Sequence, residues 1–258
     1  MSFIDTHCHL THGRFQDDVD TVIAGAQGAG IQQMITIGTG LEDGALGAAL
    51  AARWPGVVFT ACGLDPFTLF ERSDSFAEDL IALGEHLRAN RCVALGEVGL
   101  EYFHNVLPAA VQQDRLHQQL ALAQSLHLPV VIHVRDAHAD MKAVLAEHPQ
   151  VSGVIHSFDG TVADAEDYLR LGWMLSFNGM LTFKPKAYLR EACAVVPDDC
   201  LLLETDSPFL APVPLRGKRC DPGMIPHTAL VLAAERGAMI EHIMSTTTLN
   251  AGRLFNLC

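Results

Sequence analysis

The chain of 258 residues carries a formal net charge of −13, from 17 lysines and arginines against 30 aspartates and glutamates, and 49% of it is apolar. So acidic a composition excludes nucleic-acid binding by bulk electrostatics, which neutralises phosphates with a basic surface, but leaves room for a local basic patch or for metal ions. One domain spanning 1–258 suits the length; no long apolar span or leader pattern stands out; and seven cysteines (Cys8, Cys62, Cys92, Cys193, Cys200, Cys220, Cys258) without any C-x-x-C pair suggest reduced thiols in a soluble, cytoplasmic protein that avoids membranes.

The first predicted element is a strand, FIDTH at 3–7, running on towards His9. Strict alternation puts Asp5, His7 and His9 on one face and Thr6 and Cys8 on the other, which makes Cys8 a poor ligand. Further strands are expected at 34–38 (MITIG), 57–63 (VVFTACG) and 93–97 (VALGE), the last ending on Glu97. A helix over 111–127, with Leu116, Leu120 and Ala123 along one side, is stopped by Pro129 before the fifth strand, VVIHV at 130–134, which carries His133. Asp136 is the expected cap of the next helix. GVIHSF at 153–158 carries His156, and Thr161 is placed to cap the helix after it. WMLSFNG at 173–179 and LLLETD at 201–206 complete eight strands, the last ending in Glu204, Thr205 and Asp206. The Pro-rich stretch 208–226 is too long for an ordinary turn and reads as a functional loop.

Eight apolar strands alternating with helices predict a (β/α)8 TIM barrel of the α/β class, with a doubly wound open sheet as the competing arrangement. In a barrel the C-terminal strand ends meet on one rim. His7, His9, Glu97, His133, His156 and Asp206 come from five of the predicted strands and all sit near such ends. A single histidine of this kind reads as a hydrogen-bonded core residue, but six polar groups delivered to one rim are satisfied together by a metal centre. They exceed the needs of one tetrahedral ion and suit two ions sharing a bridging carboxylate, for which Glu97 is the choice. Asp5 lies one layer deeper, as a supporting acceptor or against the ion itself, and Glu204 is the corresponding supporting acid beside Asp206.

These residues lie in motifs that together resemble the TatD family of metal-dependent deoxyribonucleases: D-x-H-x-H at 5–9, GEVGLEY at 96–102, VVIHVRDAH around His133, GVIHSFDG around His156, LLLETDSPFLAP around Asp206, and RGK at 216–218. The resemblance covers essentially the whole chain, down to the closing TTTLNAGRLFNL. It implies a barrel related to the amidohydrolase-like hydrolases, with His7, His9, Glu97 and Asp206 on one divalent ion and Glu97, His133 and His156 on the other. It also implies hydrolysis of DNA phosphodiesters. Three positions depart from the family pattern: Asp65 stands where a histidine is usual, Glu101 where an aspartate is, and Cys220 where an asparagine is expected. Asp65 adds negative charge where a phosphate should approach.

Two ions roughly 4 Å apart can lower the pKa of a bound water and clamp a phosphate. In this scheme Asp206 is the general base, with Glu97 the second catalytic carboxylate. Zinc is expected as isolated, with magnesium or manganese supporting activity. Arg135, Arg216, Lys218 and Arg219 are candidates for phosphate contacts, and Phe67, Phe70, Phe103 and Phe209 for base stacking. The expected substrate is DNA, single-stranded in preference, and the default state is a monomer. The same apparatus would serve a small amide, ester or phosphate. Against the amide reading, none of the four lysines, Lys142, Lys184, Lys186 and Lys218, lies at a predicted strand end to act as a carbamylated bridge. A non-catalytic metal-binding protein is a third reading, which leaves Asp206 without a purpose.

Overall fold

A computed structural model describes residues 2–257, so Cys258 lies outside the described residues. The strands are β1 Phe3–Cys8, β2 Ile31–Gly38, β3 Val58–Cys62, β4 Ala94–Glu101, β5 Val130–Arg135, β6 Gly153–Ile155, β7 Met174–Phe177 and β8 Leu201–Leu203. They pair in parallel in sequence order. The helices are α1 Val19–Gly28, α2 Leu41–Arg53, α3 Pro66–Glu71, α4 Phe76–Ala89, α5 Ala109–Leu126, α6 His138–Ala146, α7 Val162–Arg170, α8 Ala187–Val195, α9 Ile225–Glu235 and α10 Ile240–Phe255. The (β/α)8 barrel is therefore the architecture, and the open doubly wound sheet is not. Its seam closes beyond β8: Cys8 bridges Ser207 in parallel, and the Asp206 amide donates to the His7 carbonyl at 2.8 Å. The first and last strands thus bring His7 and Asp206 side by side.

An inner layer of Ile4, Ile35, Ile37, Val131, Val154 and Leu202 fills the lower barrel, packed with Ala251 and Phe255 of α10. A larger apolar shell fills the space between strands and helices. Leu116, Leu120 and Ala123 are fully buried on α5, which ends at Leu126, with His127 in a left-handed conformation ahead of Pro129. Thr161 caps α7 in a reciprocal capping box with Asp164. Asp136 does not cap α6: it takes a left-handed turn at the end of β5, and the N-cap position falls to Ala137, without a side-chain bond.

Strict alternation fails at the start of β2, where Ile31 to Gln33 matches Phe3 to Ile4, and in β1 and β4, which carry His7 and Glu97. Along β1, the four residues from Asp5 to Cys8 match the three from Met34 to Thr36. Ile4 and Thr6 join the inner layer, Thr6 Oγ1 lying 3.4 Å from Ser176 Oγ, and the extra residue then returns His7 and His9 to that layer. Asp5 therefore does not share their face. Along β4, Leu95 to Val98 matches Val130 to Ile132 in the same way, and the strand runs past Glu97 to Glu101 instead of ending there. Such bulges re-aim side chains. β6 and β8 are shorter than expected, so His156 and Glu204 to Asp206 lie just beyond their ends.

A Cβ on Gly99 would lie 1.8 Å from the His133 carbonyl oxygen, so β4 approaches β5 there only because the residue is glycine. Gly99→Ala is expected to cost about 3 kcal/mol or more, by forcing apart the strands that carry Glu97 and His133. Urea unfolding of the variant checks this, and a change under about 1 kcal/mol would contradict the packing described.

Candidate metal centre

Glu97 lies at the centre of the rim, almost fully buried, and its two carboxylate oxygens face opposite ways. Oε1 is 2.7 Å from His133 Nδ1 and 2.9 Å from His156 Nε2. Oε2 is 3.4 Å from His7 Nε2 and 3.9 Å from His9 Nε2. Asp206 Oδ1 completes the second group, 3.4 Å from His9 Nε2 and 3.8 Å from His7 Nε2, and the two histidine nitrogens are 3.2 Å apart. Four ligands at about 2.0–2.2 Å around a tetrahedral ion are separated by about 3.3–3.6 Å. The separations of the two histidines from each other and from either carboxylate bracket that spacing, while Glu97 and Asp206 fall in separate groups that share His7. On the other side, His156 Nε2 and His133 Nδ1 are 3.5 Å apart, with Glu97 Oε1 between them. All six residues predicted as ligands fall in clusters able to hold a metal ion.

Three of the four imidazoles have a polar group behind them. His9 Nδ1 lies 3.3 Å from the Ile37 carbonyl, and His133 Nε2 lies 3.1 Å from Glu101 Oε2. His156 Nδ1 is 3.5 Å from Glu204 Oε1, which also accepts from the Ser157 amide and from Asn178. Such contacts fix tautomer and ring orientation. Asp5 does not reach the cluster. Its carboxylate accepts from the His7 and Thr205 amides and from the Thr205 hydroxyl, tying β1 to the segment after β8.

The electrostatics favour a cation. Among the described residues, the ion pairs of Glu97, Glu101, Glu204 and Asp206 are all with histidines, never with lysine or arginine. Burial alone would raise the Glu97 carboxyl, but His156, His133 and His7 outweigh it and hold Glu97 well below the carboxylate range. Burial likewise opposes charge on His9 and His133, yet Asp206 for the first, and Glu101 with Glu97 for the second, push both up to about 9. His7 goes the other way, lowered by burial and by His156, whose ring stacks on it at 3.9 Å. Among the described residues, buried His7 Nδ1, His156 Nδ1 and Glu204 Oε2 have no hydrogen-bond partner, the Glu204 carboxylate approaching His156 only as an ion pair. Imidazoles held protonated by carboxylates are the groups that a divalent ion displaces protons from when it binds, so the residues fit a metal.

A cavity of about 1020 Å³ opens over the cluster, and Arg135 and Arg216 line it as expected. Lys218 is exposed and is not among the lining residues, whereas Lys186 is. Arg219 is engaged elsewhere, paired with Asp18 at 2.7 Å and lying over Phe15. Phe67 and Phe209 line the cavity and Phe70 does not. Asp65, expected to burden the site with charge, spends its carboxylate as the N-cap of α3, accepting from the Thr68 amide at 2.8 Å; burial and the nearby Glu97 push it up to about 6. Cys220 is buried, its amide bonded to the Pro208 carbonyl. Sequence reasoning missed Glu101 as the residue behind His133, and Lys186 and His104 on the cavity wall. The signal for Glu101 was available, since it lies four residues beyond Glu97 on a continuing strand.

Known proteins resemble the chain throughout. The sequence profile of the family described as TatD related DNase matches residues 4–256. The chain is 36% identical to the uncharacterized metal-dependent hydrolase YcfH of Escherichia coli K12, over 100% of this chain and 97% of that one. It is 35% identical to the 3'-5' ssDNA/RNA exonuclease TatD of Cronobacter sakazakii, over 97% of each. Among solved structures, the TatD homologue YjjV of Escherichia coli K12 superposes with a TM-score of 0.90 at 32% identity, covering 98% of both chains. An uncharacterized amidohydrolase of Saccharomyces cerevisiae shares the fold, with a TM-score of 0.86 at 15% identity.

The raised histidines set a pH dependence for metal-stripped protein. Their stabilisation is present in full below the unfolded histidine value of about 6.5 and is lost as pH rises through about 9. Asp5, pushed up to about 8 by burial, acts in the same direction below that pH. The Tm of the stripped protein is therefore expected to fall between about pH 6.5 and 9, and to fall less when metal is restored. Thermal melts with and without chelator check this; a flat profile for the stripped protein would contradict the pairing described.

Proposed function

The chain belongs to the family of TatD-related DNases and is a metal-dependent hydrolase, and from that premise we propose that it hydrolyses phosphodiester bonds of DNA, single-stranded DNA in preference. The observation that carries the reading is the division of the Glu97 carboxylate, one oxygen towards His7 and His9 and the other towards His133 and His156. On this reading two divalent ions are held, one by His7, His9, Glu97 and Asp206 and one by Glu97, His133 and His156. The mixture of imidazole and carboxylate suits zinc, with manganese or magnesium able to support turnover. Bound there, the ions supply a water of lowered pKa and positive charge for the nonbridging oxygens of a phosphate.

The chain's own residues do the rest. Asp206 is the proton acceptor: His9 and His7 outweigh its burial and hold its carboxyl below the usual range, so it is ionised and ready to take a proton from water. Glu101 and Glu204 keep His133 and His156 in orientation, and Asp5 keeps β1 in register with the segment carrying Asp206. Arg135 and Arg216 reach the phosphate from the cavity wall, which gives an acidic protein a cationic approach to its site.

Hydrolysis of a small amide or ester is the second reading. The lysines count against its usual bridge: Lys142 pairs with Asp164 and Asp167 at 2.8 and 2.7 Å, on the outer helices. Lys184, Lys186 and Lys218 lie on connecting segments beyond the strands. Arg135, Lys186 and Arg216 on the cavity wall, which also carries Asp43, Asp65 and Asp159, and the 35% identity to an ssDNA/RNA exonuclease favour a phosphodiester.

Metal-loaded protein is expected to shorten a labelled single-stranded oligonucleotide. Asp206→Asn should slow this about 100-fold or more, and chelation should abolish it. If the loaded wild type leaves the oligonucleotide intact while cleaving a small amide or ester, the second reading replaces the first.

A further inference from the structure

On the side of the cavity formed by the loops after β3 and β4 and the end of β5, four side chains make a continuous strip. The Phe67 and His104 rings are 5.5 Å apart, His104 and Phe103 4.9 Å apart, and the Arg135 guanidinium lies 4.3 Å above the Phe103 ring. Phe67, His104 and Arg135 line the cavity over the metal centre, and Phe103 stands between the last two. The rings are open to solvent, Phe103 at 57% and Phe67 at 39%. Exposed aromatics grouped beside a cavity mark a binding surface more than they serve packing.

The strip is held at a fixed place relative to the metal centre. Buried Glu101 uses Oε2 on His133 Nε2 at 3.1 Å; its Oε1 lies 3.3 Å from His104 Nδ1 and accepts from the His104 amide at 3.1 Å. Its own amide is fixed by Gln112 Oε1 at 2.8 Å. One carboxylate therefore sets both a metal-side histidine and the central ring of the strip. Among the described residues, no carboxylate pairs with Arg135, so its N–H groups are free while its face stacks on Phe103.

Rings that offer a face or edge, next to an unpaired guanidinium, match one repeating unit of a single strand: a planar base and the phosphate that follows it. A paired base in a duplex has no free face to offer such a surface. Resting on the nuclease reading above, we infer that Phe67, His104 and Phe103 form a nucleobase-stacking subsite, with Arg135 on the adjoining phosphate, that positions single-stranded nucleic acid against the metal centre. On the opposite wall Phe209 lies edge-on to His9 and His12, and the Arg216 guanidinium lies 3.7 Å over the Phe183 ring; that wall is not part of the subsite inferred.

The test compares oligothymidylate with an oligomer of the same length whose sugars all lack bases, together with a small chromogenic phosphodiester. Stacking on aromatic side chains contributes about 1–3 kcal/mol per base, so the wild type is expected to favour oligothymidylate in kcat/KM by about tenfold or more. In the Phe67→Ala/Phe103→Ala double variant the ratio should fall towards one through a rise in KM for oligothymidylate. Phe103→Trp should keep the discrimination, and Phe70→Ala, an exposed ring outside the cavity, should leave it unchanged. If the wild type cleaves both oligomers equally, or the double variant keeps the full ratio, the subsite is overturned and the nuclease reading stands. If the wild type cleaves neither oligomer while hydrolysing the small diester, the nuclease reading falls and the subsite with it.

Discussion

The structure turns on one buried anion. Glu97 is 7% exposed and lies within 4 Å of four imidazoles, without a lysine or arginine to neutralise it. A carboxylate in such a place is costly unless it is paired and hydrogen-bonded. Here the cost is met by histidines, which themselves need carboxylates behind them: Glu101 for His133, Glu204 for His156, Asp206 beside His9. The result is a buried cluster of carboxylates and imidazoles whose residues fit a divalent metal ion.

The fold delivers that arrangement through departures from regularity. An unbroken β1 would carry Thr6 inward and His7 outward; an unbroken β4 would do the same for Gly96 and Glu97. One extra residue in each strand reverses the parity at the rim, so the apolar inner layer below and the ligand layer above can both face the barrel axis. The seam between β1 and the segment after β8 then sets Asp206 beside His7 and His9, with Asp5 as the clasp. Closure of the barrel and assembly of the site are thus the same event.

Much of this was legible in the sequence because strand ends are unambiguous in a parallel barrel. The apolar runs before His133, His156 and Glu204 fix where those side chains emerge, and convergence then implies a shared ion. What alternation could not reveal were the bulges. The reading that put Asp5 on the same face as His7 grouped His7 and His9 through a parity that the strand does not keep. Glu97 was taken as a strand end, yet β4 runs on to Glu101, and Gly99 lets it lie against the His133 backbone. Asp136 looked like a cap, but the strand needed a left-handed turn first. Lys218 and Lys186 were indistinguishable as isolated cations, since only the path of the loops decides which one faces the cavity. Asp65 does stand on the cavity wall, as its place in the sequence suggested, but its second use as a helix cap depends on the geometry of Pro66 and Thr68.

The central claim is that Glu97 separates and joins two metal positions. Anomalous diffraction from crystals grown with zinc or manganese tests it most directly. The account predicts two peaks, one against Glu97 Oε2 with His7, His9 and Asp206, the other against Oε1 with His133 and His156. A single peak, or metal bound without contact to Glu97, would contradict it.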